Sequence, residues 1–376
     1  MTEIELMEKY EKKLNDLYAR ANTKSKKKKL ALDLFIFSKI CYDHFGIDKI
    51  YDWDYDIEMW DLLEDFNTPF IENVLGNRNV YANIANGVID IFKNMDYPLY
   101  KDYRKLCGTL TDKEFQDVIF DFLNKYDPTL LKAFKEKLEN YEVFEGTIES
   151  YRGVNYQLES LNKSFIFFES EGKNTISNAS VLLHEFGHSY EFDIFQKTSQ
   201  SKRCQKGKCT PYSEVSSEFF EYAFIKYLKE NRIYYNDSSM CLRDYYIDLL
   251  RYMYEISVLS KTKCITLDDD GVAKIDNEEV KEYANKLRED LNFYYVDPET
   301  GEDINYMNAY IYGIGNLFSI YLYENYKQDP SNFKKEFRNS LLLYPVSGIE
   351  AFERVGITPE TLYEGKILRK VLEDSK

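Results

Sequence analysis

Histidine is scarce in this chain: of 376 residues only His44, His184 and His188 are histidines. Any chemistry that needs two imidazoles must therefore draw on most of the supply. Positive charge is also in deficit. A net charge of −16 argues against nucleic acid as the main partner, because phosphate binding needs clustered positive charge. The local exception, Lys24-Ser25-Lys26-Lys27-Lys28-Lys29, runs straight into an amphipathic stretch and reads as a solvated helix start. Long apolar runs are missing too; none approaches the ~20 residues that span a bilayer. The acidic start, Met1-Thr2-Glu3-Ile4-Glu5, has neither the basic residues nor the apolar stretch of a signal peptide. The expectation is a cytoplasmic protein, mature as written, with no nucleic-acid or membrane partner.

Cysteine is too sparse and too scattered for a disulfide scaffold, with six in the whole chain. The close pair Cys204 and Cys209 flanks Gln-Lys-Gly-Lys, which is not a zinc-ribbon spacing. Two reduced thiols on a loop is the reading. There is no internal repeat and no long linker. The 34 tyrosines, beside abundant Lys, Asn and Ile, look like composition bias rather than a binding signature.

What is present is helical periodicity. The spacing of apolar residues predicts helices over 2–21, 30–46, 54–65, 80–95, 111–124 and 128–141, with Pro98, Gly108, Pro128 and Gly146 as breaks. Ser164-Phe165-Ile166-Phe167-Phe168-Glu169 is aromatic and β-branched and reads as a strand, with 151–158 as its hairpin partner. A long helix should follow from about 178 to 196, then a polar loop over 199–210. Thr210 should cap the next helix, with Pro211 at its first position, running to about 231. Further helices are expected over 240–260, 277–291, 304–326, 331–341, 348–355 and 359–374. The fold class is mostly α with a small sheet.

Two of the three histidines fall in Val181-Leu182-Leu183-His184-Glu185-Phe186-Gly187-His188. On a helix His184 and His188 are one turn apart, roughly 6 Å between Cβ atoms. That spacing lets two imidazoles grip one zinc ion, with Glu185 beside them to handle a water proton. A catalytic zinc ion usually keeps three protein ligands and one open position. The metzincin pattern is excluded, because Glu191 and Ile194 stand where it needs glycine and histidine. The third ligand must then be a carboxylate, and Glu214 in Ser213-Glu214-Val215-Ser216-Ser217-Glu218 is the leading candidate. Glu218 could be that ligand or could orient a histidine from behind; Glu191 is a further candidate. The face continues to Glu221.

Taken together, these segments resemble the thimet oligopeptidase and oligoendopeptidase F family of zinc peptidases. The likeness rests on His184-Glu185-Phe186-Gly187-His188, on Glu214-Val215-Ser216-Ser217 with Glu221, and on Tyr306-Met307-Asn308-Ala309-Tyr310-Ile311-Tyr312-Gly313-Ile314-Gly315-Asn316-Leu317. It extends to the C-terminal run through Gly356-Ile357-Thr358-Pro359 and covers about 160–376. The resemblance implies a helical, neurolysin-like zinc-peptidase fold with a small sheet at the cleft. It also implies a shortened N-terminal lobe over 1–145 and a catalytic lobe over 146–376. Family members carry a histidine just before the tyrosine segment; Ile304 stands there, leaving tyrosines, or His44 if folding brings it near, to stabilise the transition state.

The implied chemistry is zinc-dependent hydrolysis of oligopeptides. One zinc ion would be held by His184, His188 and Glu214; Glu185 would serve as general base, and Tyr306, Tyr310 or Tyr312 would donate to the oxyanion. Gly313 and Gly315 would either let that segment move or permit close helix packing. The strand over 165–169 would form the cleft edge, or be an ordinary buried strand. The competing readings are a metallocarboxypeptidase and a non-catalytic peptide binder.

Overall fold

The computed structural model describes residues 3–47, 76–95, 97, 108–146, 152–170, 172–197, 214–262, 272–274, 277–291, 303–329, 335 and 353–375. The helix expected over 54–65, all but Lys335 of that over 331–341, most of that over 348–355, and the Cys204–Cys209 loop lie outside those residues. The chain divides into two units, one of residues 1–66 and 108–201, the other of 67–107 and 202–376.

The first unit is a three-stranded sheet with helices on it. Helices α1 (Glu3–Ala19) and α2 (Lys24–Phe45) pair with each other. Thr23 caps α2 by accepting from the Lys26 N–H, so the basic run forms its first turns and the helix starts six residues before 30. Helices α3 (Arg78–Met95), which belongs to the second unit, α4 (Asp112–Tyr126) and α5 (Pro128–Glu139) follow in the chain. A capping box of Thr111 and Glu114 sets the start of α4, and Asp127 with Pro128 sets that of α5.

Strands β1 (Val143–Glu145), β2 (Gly153–Leu158) and β3 (Lys163–Phe168) order as β1-β3-β2, with β2 antiparallel and β1 parallel to β3. The hairpin partner expected over 151–158 is β2, in the register Gly153 opposite Phe168. Strand β3 is buried on both faces, which is why it reads as a nearly continuous aromatic run. Phe165 and Phe167 enter a core with Leu14, Leu34, Phe37 and Ile40 of α1 and α2. On the opposite face Phe168 stacks on Phe115 of α4, with ring centroids 6.0 Å apart. One expectation is corrected: β3 is not a cleft edge, because β1 pairs along Ile166–Phe168 on one side and β2 along the other. Three residues are too few for β1 to show a period of its own.

Helix α6 (Ile176–Lys197) packs on β3 and β2. It starts two residues before the expected 178, because the Thr175 hydroxyl accepts from the Asn178 N–H. The Asn178 amide then donates to the Glu169 carbonyl at 2.6 Å, tying the helix start to the end of β3.

The second unit is built around α7 (Val215–Glu230), α8 (Tyr235–Leu259) and α10 (Tyr306–Gln328), with α3 against α8. Nearly every residue from Val215 to Leu228 is buried, so α7 is a core helix covered all round. Helix α9 (Glu278–Asp290) and the hairpin of β4 (Val272–Lys274) and β5 (Asp303–Asn305) are appended. Here too the structure corrects the sequence reading. Ile304 lies in β5, opposite Ala273, and not in a helix; this pairing with β4 is non-local and leaves no trace in a local pattern. The stretch over 359–374 is two helices, α11 (Pro359–Glu364) and α12 (Lys366–Glu373), broken at Gly365, whose φ is +63°. Thr210 and Pro211 lie outside the described residues, but the cap of α7 is Glu214. The Glu218 N–H begins the ladder by donating to the Glu214 carbonyl at 2.9 Å.

Candidate active site

Helix α6 carries the histidine pair of the first unit. Its apolar residues Leu182, Leu183 and Phe186 are buried, and Phe186 meets Phe134 of α5 edge-on at 5.1 Å. That anchoring fixes the roll of the helix. His184 and His188 then stand on one face with ring centroids 5.2 Å apart and planes at 77°. Glu185 is 6% exposed and faces the sheet, where its carboxylate lies against Gly153 of β2. One turn further, Ser189 is fully buried and accepts from the Ser164 hydroxyl of β3 at 2.8 Å; Asn155 of β2 donates to Ser164 at 2.9 Å. A polar chain from β2 through β3 therefore pins the helix beside the two histidines. Glu191 is buried on the same helix.

The second unit presents the glutamates and the tyrosines. Glu214, half-buried, caps α7, and the Ser217 hydroxyl lies 2.8 Å from its Oε2 and 2.9 Å from its carbonyl oxygen. Helix α10 passes close by: a Cβ placed on Gly315 would stand 3.0 Å from the Glu214 Cβ and 3.3 Å from the Glu218 Cγ. A Cβ on Gly313 would stand 2.8 Å from the Cβ of Tyr252 on α8. Both glycines thus serve close helix packing. Glu218, 5% exposed, is held from α10. With its amide nitrogen turned toward the carboxylate, Asn316 donates to both Glu218 oxygens and to the Tyr312 carbonyl. The Tyr245 hydroxyl donates to the Asn316 carbonyl at 3.4 Å. Burial, then the charges of Glu218 and Glu221, hold the Tyr245 phenol well above its ordinary value, so it stays a donor.

The three tyrosines named from sequence differ in setting. Tyr310 is 1% exposed, with its ring edge-on to Tyr81 at 5.6 Å, a position in the core of this unit. Tyr312 is half-buried and stacked on Tyr252, centroids 5.7 Å apart. Tyr306 opens α10, but its side chain, like that of His44, lies outside the described residues. Tyr252 is raised by burial, and Glu255, one turn on along α8, is pushed up to about 7 by burial against the pull of Arg251.

Sequence reasoning missed Asn316, Tyr245, Asn155, Ser164, Ser189 and Gly153. These residues act on a neighbour that is remote in the chain, so no local pattern marks them.

No family model matches the chain, and no curated protein matches it by sequence. Solved structures match it by fold. One is a protein of Bacillus anthracis strain Ames assigned as an oligoendopeptidase F, with a TM-score of 0.53 and 13% identity; the match covers 96% of this chain and 68% of that one. Another is assigned as a peptidase of Chlamydophila abortus, with a TM-score of 0.52 and 14% identity, covering 99% of this chain and 62% of that one. The chain therefore has a helical fold similar to that of the oligoendopeptidase F structure, over about two thirds of the length of these proteins.

Proposed function

We propose that the chain is a zinc-dependent peptidase that hydrolyses internal bonds of oligopeptides in the cytoplasm. The observation that carries the reading is the pair of imidazoles 5.2 Å apart with a buried glutamate between them in sequence, on a helix of a peptidase-like fold. The ligands we assign to a metal ion are His184 and His188 on α6, with Glu214 as the third that the family resemblance implies. Two imidazoles and one carboxylate suit zinc, with one position left for water or substrate. Zinc bound there would acidify a water and polarise the scissile carbonyl.

The protein's own groups do the rest. Glu185 takes the water proton and returns it to the leaving amine. Glu218 serves as an orienting group, a role supported by the hold that Asn316 keeps on its carboxylate. Among the tyrosines, partial exposure favours Tyr312 over Tyr310 as the oxyanion donor. Among the described residues β2 pairs on one side only, so its other edge is available to an extended peptide backbone.

The test is cleavage of a library of end-blocked peptides, with metal analysis and Glu185→Gln alongside. Internal cuts that stop with chelator and fall at least about 10³-fold in Glu185→Gln, with zinc retained, are expected. Cleavage confined to unblocked peptides would assign a carboxypeptidase instead, and undiminished turnover by Glu185→Gln would sink the mechanism.

A further inference from the structure

We infer that Gly153 is a positioning residue for Glu185: the missing side chain at the start of β2 is the space in which the carboxylate of the general base sits. The inference rests on the role proposed above for Glu185. A Cβ built on Gly153 would stand 2.7 Å from the Val181 Cγ1, 2.8 Å from the Glu185 Oε1 and 2.9 Å from the Glu185 Cγ. Contacts that short do not persist, so something must give.

The frame around Gly153 is stiff. The strand is held to β3 through its whole length, from Gly153 opposite Phe168 to Leu158 opposite Lys163. The helix is fixed on the same sheet through Ser164 and Ser189, and through Asn178 and the Glu169 carbonyl. Val181 is β-branched and confined to one main rotamer on a helix. Glu185 has three rotatable bonds and is the softest neighbour, so an added methyl group displaces the Glu185 carboxylate. Glu185 follows His184 directly in the chain, so this displacement moves the base relative to the face that carries the histidines. A misplacement of about 1 Å in a reacting group can lower the rate about 10²-fold. The backbone conformation at Gly153 is not the reason for glycine, since it is an ordinary strand position outside the left-handed region.

The experiment compares Gly153→Ala, Val181→Ala, the double variant and Glu185→Gln in the intact chain, on one internally cleaved blocked peptide. Gly153→Ala should lower kcat about 10- to 100-fold, with KM and zinc content close to the parent, the protein folded with its thermal midpoint lowered only modestly, and the acid limb of the kcat–pH profile displaced. Val181→Ala removes the other close contact, so adding it to Gly153→Ala should not restore kcat. Three results would overturn the inference: full activity in Gly153→Ala, recovery in the double variant, or loss of folded protein in Gly153→Ala. If Glu185→Gln is inactive while Gly153→Ala is fully active, the general base stands and this inference alone fails. If Glu185→Gln remains active, both fail.

Discussion

The hydroxyl of Ser217 has one proton and two acceptors, the Glu214 Oε2 at 2.8 Å and the Glu214 carbonyl at 2.9 Å. Its bond to the carboxylate limits rotation of the Glu214 side chain at the start of α7 and leaves the other oxygen to be aimed elsewhere. Groups that orient metal ligands in this way typically carry a 10–100-fold effect on affinity. Ser217→Ala is therefore expected to weaken zinc binding by about 10-fold while leaving the fold intact, since the residue is small and the substitution opens little space. Zinc titration against a competing chelator measures it; unchanged affinity would remove Glu214 from the ligand set. The same scale separates the tyrosines. Tyr310 and Tyr312 are two residues apart on one helix and look alike in sequence, yet one is packed on Tyr81 in the core and the other is half-exposed on Tyr252.

At the scale of elements, the first unit is tied together by a buried ionic cluster. Lys137 of α5 lies 3.3 Å from Glu142, which precedes β1, and 3.3 Å from Asp193 of α6. Lys163 of β3 pairs with the other oxygen of Glu142. Lys137 and Glu142 are nearly inaccessible, so the removal of one charge strands its partner away from water. Lys137→Met should destabilise the protein by about 3–5 kcal/mol. Denaturant unfolding would register the loss, whereas a change below about 1 kcal/mol would show that solvent reaches the cluster. The cluster joins elements that the local pattern treats separately. The apolar periodicity of α5 and α6 was readable, but the reason they share one anchor was not, because charged residues such as Lys137 and Asp193 normally mark a solvated face.

At the scale of the whole molecule, buried tyrosine sets the alkaline limit. Tyr222, Tyr245 and Tyr246 are all held well above the ordinary phenol value, first by burial. Tyr222 and Tyr246 also share a hydrogen bond at 3.0 Å. Unfolded tyrosines ionise near about pH 10, whereas these keep their protons in the native state. A raised native pKa gives stability that is complete below the unfolded value and is lost as pH climbs through it. The denaturation midpoint should therefore fall steeply above about pH 10, with phenolate absorbance appearing together with unfolding. Phenolate that appears well before unfolding would show that these rings are open to solvent. No helix among the described residues is long and apolar enough to cross a membrane.

Among the described residues sequence alone located most of the helices and the histidine pair, because both are local. A 3.6-residue period and an i,i+4 spacing depend only on the chain's immediate neighbours, so α6 and its histidine face were legible within two residues. Helix starts were legible within a residue where a side chain caps its own helix, as before α4 and α5, and the half-buried glutamate that caps α7 was not read as a cap. The tertiary structure decided whatever depends on residues far apart in the chain: the parallel strand β1, the β4–β5 pairing that takes Ile304 out of helix, and the hold of Asn316 on Glu218. It also decided that residues 67–107 fold with the C-terminal part and 108–201 with the N-terminal part. Gly153 beside Glu185 is the sharpest case. A glycine carries no pattern of its own, and the need for it arises only where side chains of another element come too close for one more.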